Sequence, residues 1–228
     1  MNDQLLPNEL IDFWSNAAPD YDRVVELQVG HGTRAKVRER LAQEESLGDV
    51  VEFGCGSGFF TETLATHATS VLATDLSPGM LSHAEEHLRA PNVTFQIEDC
   101  QGSSLEALGF DTAFLSLVLQ FADHDRTLAE MRRVLKPGGR LLIANLDVYA
   151  LSVPHRLRCL FRVIHQGRRG YQVRPPRRFG RNVIGKGKLC ELLTRYGFSV
   201  LGAESFTNTS RPSYIPVNFI RAEKRSIA

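Results

Sequence analysis

Short apolar runs alternate with longer amphipathic ones along most of this chain, and the alternation predicts strands of a parallel sheet separated by helices. Residues 49–53 read as a brief β-like run that ends in a glycine-rich turn, and a helix is expected over 59–66. Residues 71–74 are apolar and end on Asp75. Ser77 and Pro78 then supply an N-cap and a first-turn proline for a helix reaching Arg89. Residues 93–97 alternate as a third strand, closed by Glu98 and Asp99. Residues 112–118 are almost continuously apolar, as a strand buried on both faces should be. Asp123 opens a helix carrying Leu128, Met131, Val134 and Leu135 at helical spacing. Lys136-Pro137-Gly138-Gly139 stops it with a cationic last turn followed by breakers, and 140–145 is the next strand.

Five strands separated by helices argue for an α/β fold with a doubly wound sheet covered on both sides. One more helix is expected over 186–196, closed by Gly197. Residues 198–206 and 213–221 then read as two strands close enough to pair antiparallel. The organisation is that of a single domain: an N-terminal helical cap at 1–47, a core at 48–146, an irregular or partly helical insert at 147–185, and a C-terminal helix and strand pair at 186–228.

Composition narrows the class. A 228-residue chain with 43% apolar and 23% charged residues suits one globular α/β domain, and a net charge of +1 makes the whole molecule no magnet for nucleic acid. No signal peptide or membrane span is expected: the longest apolar stretch, 113–121, is short and contains Ser116 and Gln120. Cys55, Cys100, Cys159 and Cys190 are scattered without metal-ligand spacing, which reads as reduced thiols in a cytoplasmic protein. His83 and His87 share a helix face, but His-Ala-Glu-Glu-His is not the order of a zinc hydrolase, so no metal is expected there and a solvated helix surface is the plain reading.

The chemistry concentrates at Glu52-Phe53-Gly54-Cys55-Gly56-Ser57-Gly58. A strand that turns on glycines into a helix exposes backbone N–H groups at the carboxyl edge of a sheet, where such sheets bind ligands. A tight turn with no ligand is the bland alternative. The G-x-G-x-G spacing departs from the dinucleotide pattern, and Glu52 would repel a pyrophosphate while attracting a cationic amino-acid group. S-adenosylmethionine offers an ammonium, a sulfonium and no phosphate. Asp75 can accept both ribose hydroxyls, its alternative being a helix N-terminal charge, and Asp99 can accept the adenine amino group unless it is a solvated loop carboxylate. Cys55 reads as simply small.

These segments, with Asp75-Leu76-Ser-Pro-Gly-Met80, Glu98-Asp99 and Leu135-Lys-Pro-Gly-Gly-Arg-Leu-Leu142, resemble the successive motifs of the class I S-adenosylmethionine-dependent methyltransferases. The nearest branch is similar to the ubiquinone/menaquinone-biosynthesis (methyltransferase 11-like) group. Phe13-Trp14-Ser-Asn-Ala-Ala-Pro-Asp-Tyr21-Asp22 resembles that branch's N-terminal segment. The resemblance covers about residues 10 to 146. It implies a seven-stranded Rossmann-like sheet with the last strand antiparallel, Tyr21 over the cofactor, Leu76 and Met80 flanking the adenine, Cys100 offering its backbone beside Asp99, and Ser116 or Leu117 next to the methionine part.

A small-molecule acceptor is expected. The aromatic Pro-Pro element of amino-methylating nucleic-acid enzymes is absent, since Ser116-Leu-Val-Leu-Gln-Phe121 stands in its place, and no Pro-Cys pair offers a cytosine-C5 nucleophile. Residues 148–190 contain no Asp or Glu but many arginines, among them Arg168, Arg169, Arg174, Arg177 and Arg178. As a lid these would suit an acidic substrate, or a lipophilic one met at an anionic membrane surface, since apolar residues interleave with them. RNA contact has charge in its favour but no recognisable module, and paired, solvated arginines are the plain alternative. His31, Tyr149, His155, His165 and Tyr171 are the candidate bases. A non-catalytic cofactor-binding module and a nicotinamide-dependent oxidoreductase are the competing readings, the latter disfavoured by Glu52. Oligomeric state is open.

Overall fold

The computed structural model describes residues 7–30, 32–167, 182–208 and 214–226. Seven strands form one sheet: β1 (Asp49–Phe53), β2 (Ser70–Asp75), β3 (Val93–Ile97), β4 (Phe110–Ser116), β5 (Leu135–Leu146), β6 (Phe198–Phe206) and β7 (Val217–Lys224). Their order is β3-β2-β1-β4-β5-β7-β6. The first five pair in parallel, and β7 runs antiparallel to both β5 and β6. The sheet is the Rossmann-like arrangement the pattern implied. Its strand order reverses beside β1, between β2 and β4, and ligands bind α/β sheets at such a switch point.

Strand alternation divides the core into two layers. Val50, Phe114, Leu142 and Ala144 face one side, against α3 (Thr33–Leu41), α4 (Thr61–His67) and α5 (Pro78–His87). Val51, Phe53, Ala113, Leu115, Leu141 and Ile143 face the other, against α6 (His124–Val134) and α8 (Lys186–Arg195). Ser77 caps α5 as the sequence predicts, its Oγ accepting from the Met80 N–H at 3.2 Å, and Asp123 caps α6 in the same way through Arg126 N–H at 2.9 Å. Two helices precede this core: α1 (Pro7–Ala17), whose Ser15 hydroxyl pairs with that of Ser77 at 2.8 Å, and α2 (Tyr21–Val29). A polar cluster ties α3 to the last strands: Arg40 reaches Glu44 at 2.8 Å and Glu204 at 2.5 Å, while Arg221 reaches Glu44 at 2.8 Å.

Several boundaries differ from expectation: β4 runs over Phe110–Ser116 and not 112–118, and α5 ends at His87 and not at Arg89, whereas the insert is partly helical as expected. The Lys136-Pro137-Gly138-Gly139 stretch lies inside β5, because Leu135 already pairs with Phe110 and an irregularity between Phe110 and Thr112 absorbs the turn. The last strand starts at Val217 and runs to Lys224, not 213–221, following its long ladder with β5; Ser213 lies outside the described residues. Part of the insert is regular: a 3-10 turn at Val148–Ala150 leads into α7 (Val153–Gly167). Leu151 and Cys159 are buried, whereas Val153, Leu157 and Phe161 stand exposed. Among the described residues, no helix is long and apolar enough to cross a membrane.

Asp147, buried directly after β5, joins three elements. Its Oδ1 accepts from Ala150 N–H at 3.1 Å, and its Oδ2 accepts from Lys186 N–H at 3.2 Å and from Asn218 Nδ2 at 2.9 Å. Asp147→Ala leaves those buried donors without their charged acceptor, so urea denaturation should show a loss of about 2 kcal/mol.

Candidate functional site

A cleft of about 660 Å³, its open mouth included, sits at the carboxyl ends of β1, β2 and β4. Gly54 and Gly56 form part of its wall, in left-handed conformations with φ of 72° and 56°. A Cβ on Gly54 would stand 2.3 Å from Val118 Cγ2, and one on Gly56 would stand 2.9 Å from the Tyr21 ring. Both positions therefore need glycine twice over, for conformation and for space.

Asp75 ends β2 and faces the cleft. Its Oδ2 accepts from Gly56 N–H at 3.0 Å and its Oδ1 from Ser77 N–H at 2.9 Å. Burial raises its carboxyl above the ordinary value, against the N–H groups of Ser77, Gly56 and Leu76 that favour the anion. Leu76 and Met80 continue this wall. Asp99 and Cys100 come next, with Asp99 Oδ1 held by Gln101 N–H at 2.8 Å. Glu98 has the opposite character: its carboxylate is taken up by Gln96, Ser104 N–H and the Ser104 hydroxyl, fastening the loop after β3.

Ser116 and Leu117 close the site at the end of β4. The Ser116 Oγ is buried without a hydrogen-bond partner among the described residues, an unmet polar group on a cleft wall. Leu117 has a φ of 56°, backbone strain of the kind that gathers at functional sites. Gln120 is buried close by in sequence, with its Oε1 unpartnered as well.

Glu52 is placed below the cleft and not on its wall. β1 alternation turns it to the same side as Val50, where it is buried and accepts from Thr61 Oγ1 at 2.6 Å. Burial pushes its carboxyl up to about 7, and the nearby Asp75 charge adds to the rise. Cys55 is buried beside them and its thiol is raised, first by burial and then by Glu52 and Asp75, which suits a small filler and not a nucleophile.

The N-terminal helices supply the roof. Tyr21 is half-buried, desolvation raises its hydroxyl above the ordinary value, and it packs edge-on to Trp14 at 5.9 Å. Trp14 also meets Phe121 edge-on at 5.0 Å. Leu10, Trp14 and Phe121 line the cleft together, although the motifs gave no reason to join residues so far apart in sequence. Asp22 anchors the roof to the glycine turn, accepting from Ser57 Oγ at 2.7 Å and from Arg34 at 2.8 Å.

Of the candidate bases, the described Tyr149 and His155 do not line this cleft. Tyr149 is exposed, with the Arg156 guanidinium over its ring at 5.6 Å, and His155 Nδ1 pairs with Ser152 Oγ at 3.0 Å. His31, Tyr171, Arg168, Arg169, Arg174, Arg177 and Arg178 lie outside the described residues, as does the side chain of His165 in α7.

Comparison with known proteins bears on this arrangement. A family described as a methyltransferase domain matches residues 51–143. Residues 51–143 belong to that methyltransferase-domain family. It is 33% identical over 152 residues to a malonyl-[acyl-carrier protein] O-methyltransferase of Serratia marcescens, covering 66% of this chain and 58% of that one. It is 32% identical over 142 residues to a demethylmenaquinone methyltransferase of Paenarthrobacter aurescens, covering 61% of this chain and 55% of the relative. Among solved structures, the N-methyltransferase NodS from Bradyrhizobium japonicum, in complex with S-adenosyl-L-homocysteine, superposes with a TM-score of 0.61 at 19% identity, covering 85% of this chain and 86% of that one. The chain spans about half the length of several of the curated relatives it matches.

The elevated Glu52 carboxyl gives a pH signature. A carboxyl that titrates near 7 when folded and near 4.5 when unfolded favours the folded state at low pH, and that contribution is lost as pH rises through 7. Glu52→Gln removes the titration. In urea denaturation without ligand, the stability difference should shift steadily in favour of E52Q from about pH 4.5 to pH 8; parallel pH profiles would exclude a buried carboxyl of this kind.

Proposed function

We propose that this protein transfers the methyl group of S-adenosylmethionine to a small organic acceptor, one that is acidic or lipophilic. The observation that carries the reading is the convergence of bare backbone at Gly54 and Gly56, the carboxylates of Asp75 and Asp99, and the unpartnered Ser116 Oγ on one cleft. The donor set fits a cationic, phosphate-free nucleoside. Gly54 and Gly56 put bare backbone on the cleft wall, the carboxylates accept from ribose hydroxyls and the adenine amino group, and Ser116 offers an oxygen to the amino-acid end. Leu76 and Met80 give the base apolar faces. Glu52, from below, adds negative potential without direct contact.

When bound, S-adenosylmethionine supplies a methyl group on a sulfonium, open to in-line displacement. The chain's own contribution is positioning and exclusion of water, and orientation of this kind is worth about 7–11 kcal/mol in favourable cases. Tyr21, Trp14 and Phe121 give the cleft an aromatic roof. A base is required only for an acceptor that keeps its proton at neutral pH, so the placement of Tyr149 and His155 away from the cleft is compatible with turnover.

The matched relatives, one named for a malonyl carrier protein and one for demethylmenaquinone, support an acidic or a lipophilic acceptor over nucleic acid. So does the acid-free, arginine-rich stretch at 148–190. Calorimetry with S-adenosylmethionine and with NAD, followed by an S-adenosylhomocysteine release assay over acidic, neutral and lipophilic acceptors, tests the proposal. Binding of the nucleoside with no release from any acceptor would favour a binding module instead. Asp75→Ala removes the charged acceptor at the ribose position and should weaken S-adenosylmethionine binding by about ten- to a hundredfold while leaving the circular dichroism spectrum unchanged.

A further inference from the structure

α5 carries a second cluster of chemistry, which the methyl-transfer reading does not use. His83, Glu86 and His87 stand at i, i+3 and i+4, so their side chains rise from one helix face. One donor atom from each, two imidazole nitrogens and a carboxylate oxygen, lies within 4.8 Å of the other two. The histidine rings sit side by side with centroids 4.4 Å apart.

The hydrogen bonding already present favours ligation. His87 Nδ1 lies 2.7 Å from the His83 carbonyl oxygen. A carbonyl only accepts, so Nδ1 carries the proton and Nε2 keeps its lone pair. Metal-bound histidines are commonly held this way, with the other ring nitrogen donating to a backbone carbonyl. Among the described residues, neither the Glu86 carboxylate nor a His83 ring nitrogen is engaged in a hydrogen bond or ion pair. Metal–ligand bonds of about 2.1 Å at a tetrahedral angle place donors about 3.4 Å apart, so the three need to close by about an ångström. His83 is half-buried and the other two are exposed, which leaves room for that rotation.

We propose that this face of α5 binds one divalent ion of the borderline class, zinc, cobalt or nickel, through His83, Glu86 and His87. Two imidazoles with one carboxylate suit those ions better than magnesium or calcium, which prefer oxygen alone. The site holds the last turn of the helix, where the backbone leaves helical geometry at Leu88. It stands one turn beyond Met80, which lines the cleft, so the ion takes a structural part and no part in the reaction. The inference is independent of the proposed methyl transfer.

The test uses untagged, chelator-stripped full-length protein titrated with zinc chloride by calorimetry and with cobalt(II) by absorption. One equivalent is expected, with cobalt d–d bands but no thiolate charge-transfer band, since no cysteine takes part. His83→Ala and His87→Ala should each weaken binding by at least about tenfold, while His67→Ala, on another helix, leaves it unchanged. Circular dichroism of the H83A/H87A double variant checks that the fold is intact. Absence of stoichiometric uptake, a thiolate band, or a double variant that binds as tightly as the parent would overturn the site.

Discussion

The turn after β1 can bring its backbone to the cleft only because Gly54 and Gly56 lack side chains, and much of the site depends on those two absences. Val118 occupies the space a Cβ would need at the first, and the Tyr21 ring occupies it at the second. One glycine thus lets the end of β4 close against the turn, and the other lets α2 lie over it. The Gly56 N–H in turn fixes the Asp75 carboxylate at the end of β2. Three strands and one helix are registered against a few atoms of bare backbone. The compactness that shapes the cleft also makes it intolerant, since a methyl group there meets a side chain on both sides.

The same crowding explains the electrostatics. Burial raises both Glu52 and Asp75, and the Asp75 charge adds to the rise at Glu52. Burying two carboxylates without a cation is costly, and Glu52 responds with a carboxyl near 7. The unpartnered Ser116 oxygen adds a third electron-rich group. A ligand that brings positive charge and hydrogen-bond donors suits these carboxylates, whereas a phosphate would be repelled by them.

Much of the sheet was legible because its strands are short β-branched and apolar runs between strong breakers. The alternation over 93–97 and the run at 198–206 coincide with β3 and β6. Ser77, Pro78 and Asp123 announced their helices because capping is a local interaction written in adjacent residues. What the sequence hid is what depends on distant pairing. Lys136-Pro137-Gly138-Gly139 reads as a breaker, yet the ladder from Leu135 to Phe110 draws it into β5. Glu52 reads as a wall residue from its motif, and only the pleat of β1 shows it lying underneath, on Thr61. Trp14 and Phe121 give no local sign of meeting, and Asp147 gives none of joining α8 to β7.

The division between what the family match covers and what completes the cleft follows from this. Residues 51–143 provide the glycine turn, both facing carboxylates, Ser116 and Phe121. Leu10, Trp14 and Tyr21 come from outside that span, and they form the part of the wall richest in aromatic surface. They are held there by contacts of modest individual strength, an edge-on ring pair being worth about 0.5–1.5 kcal/mol, together with the Asp22 bonds to Ser57 and Arg34. The floor of the cleft is thus set by backbone geometry within the span of the family match, while its aromatic roof is built by segments outside that span and rests on it through a few side-chain contacts.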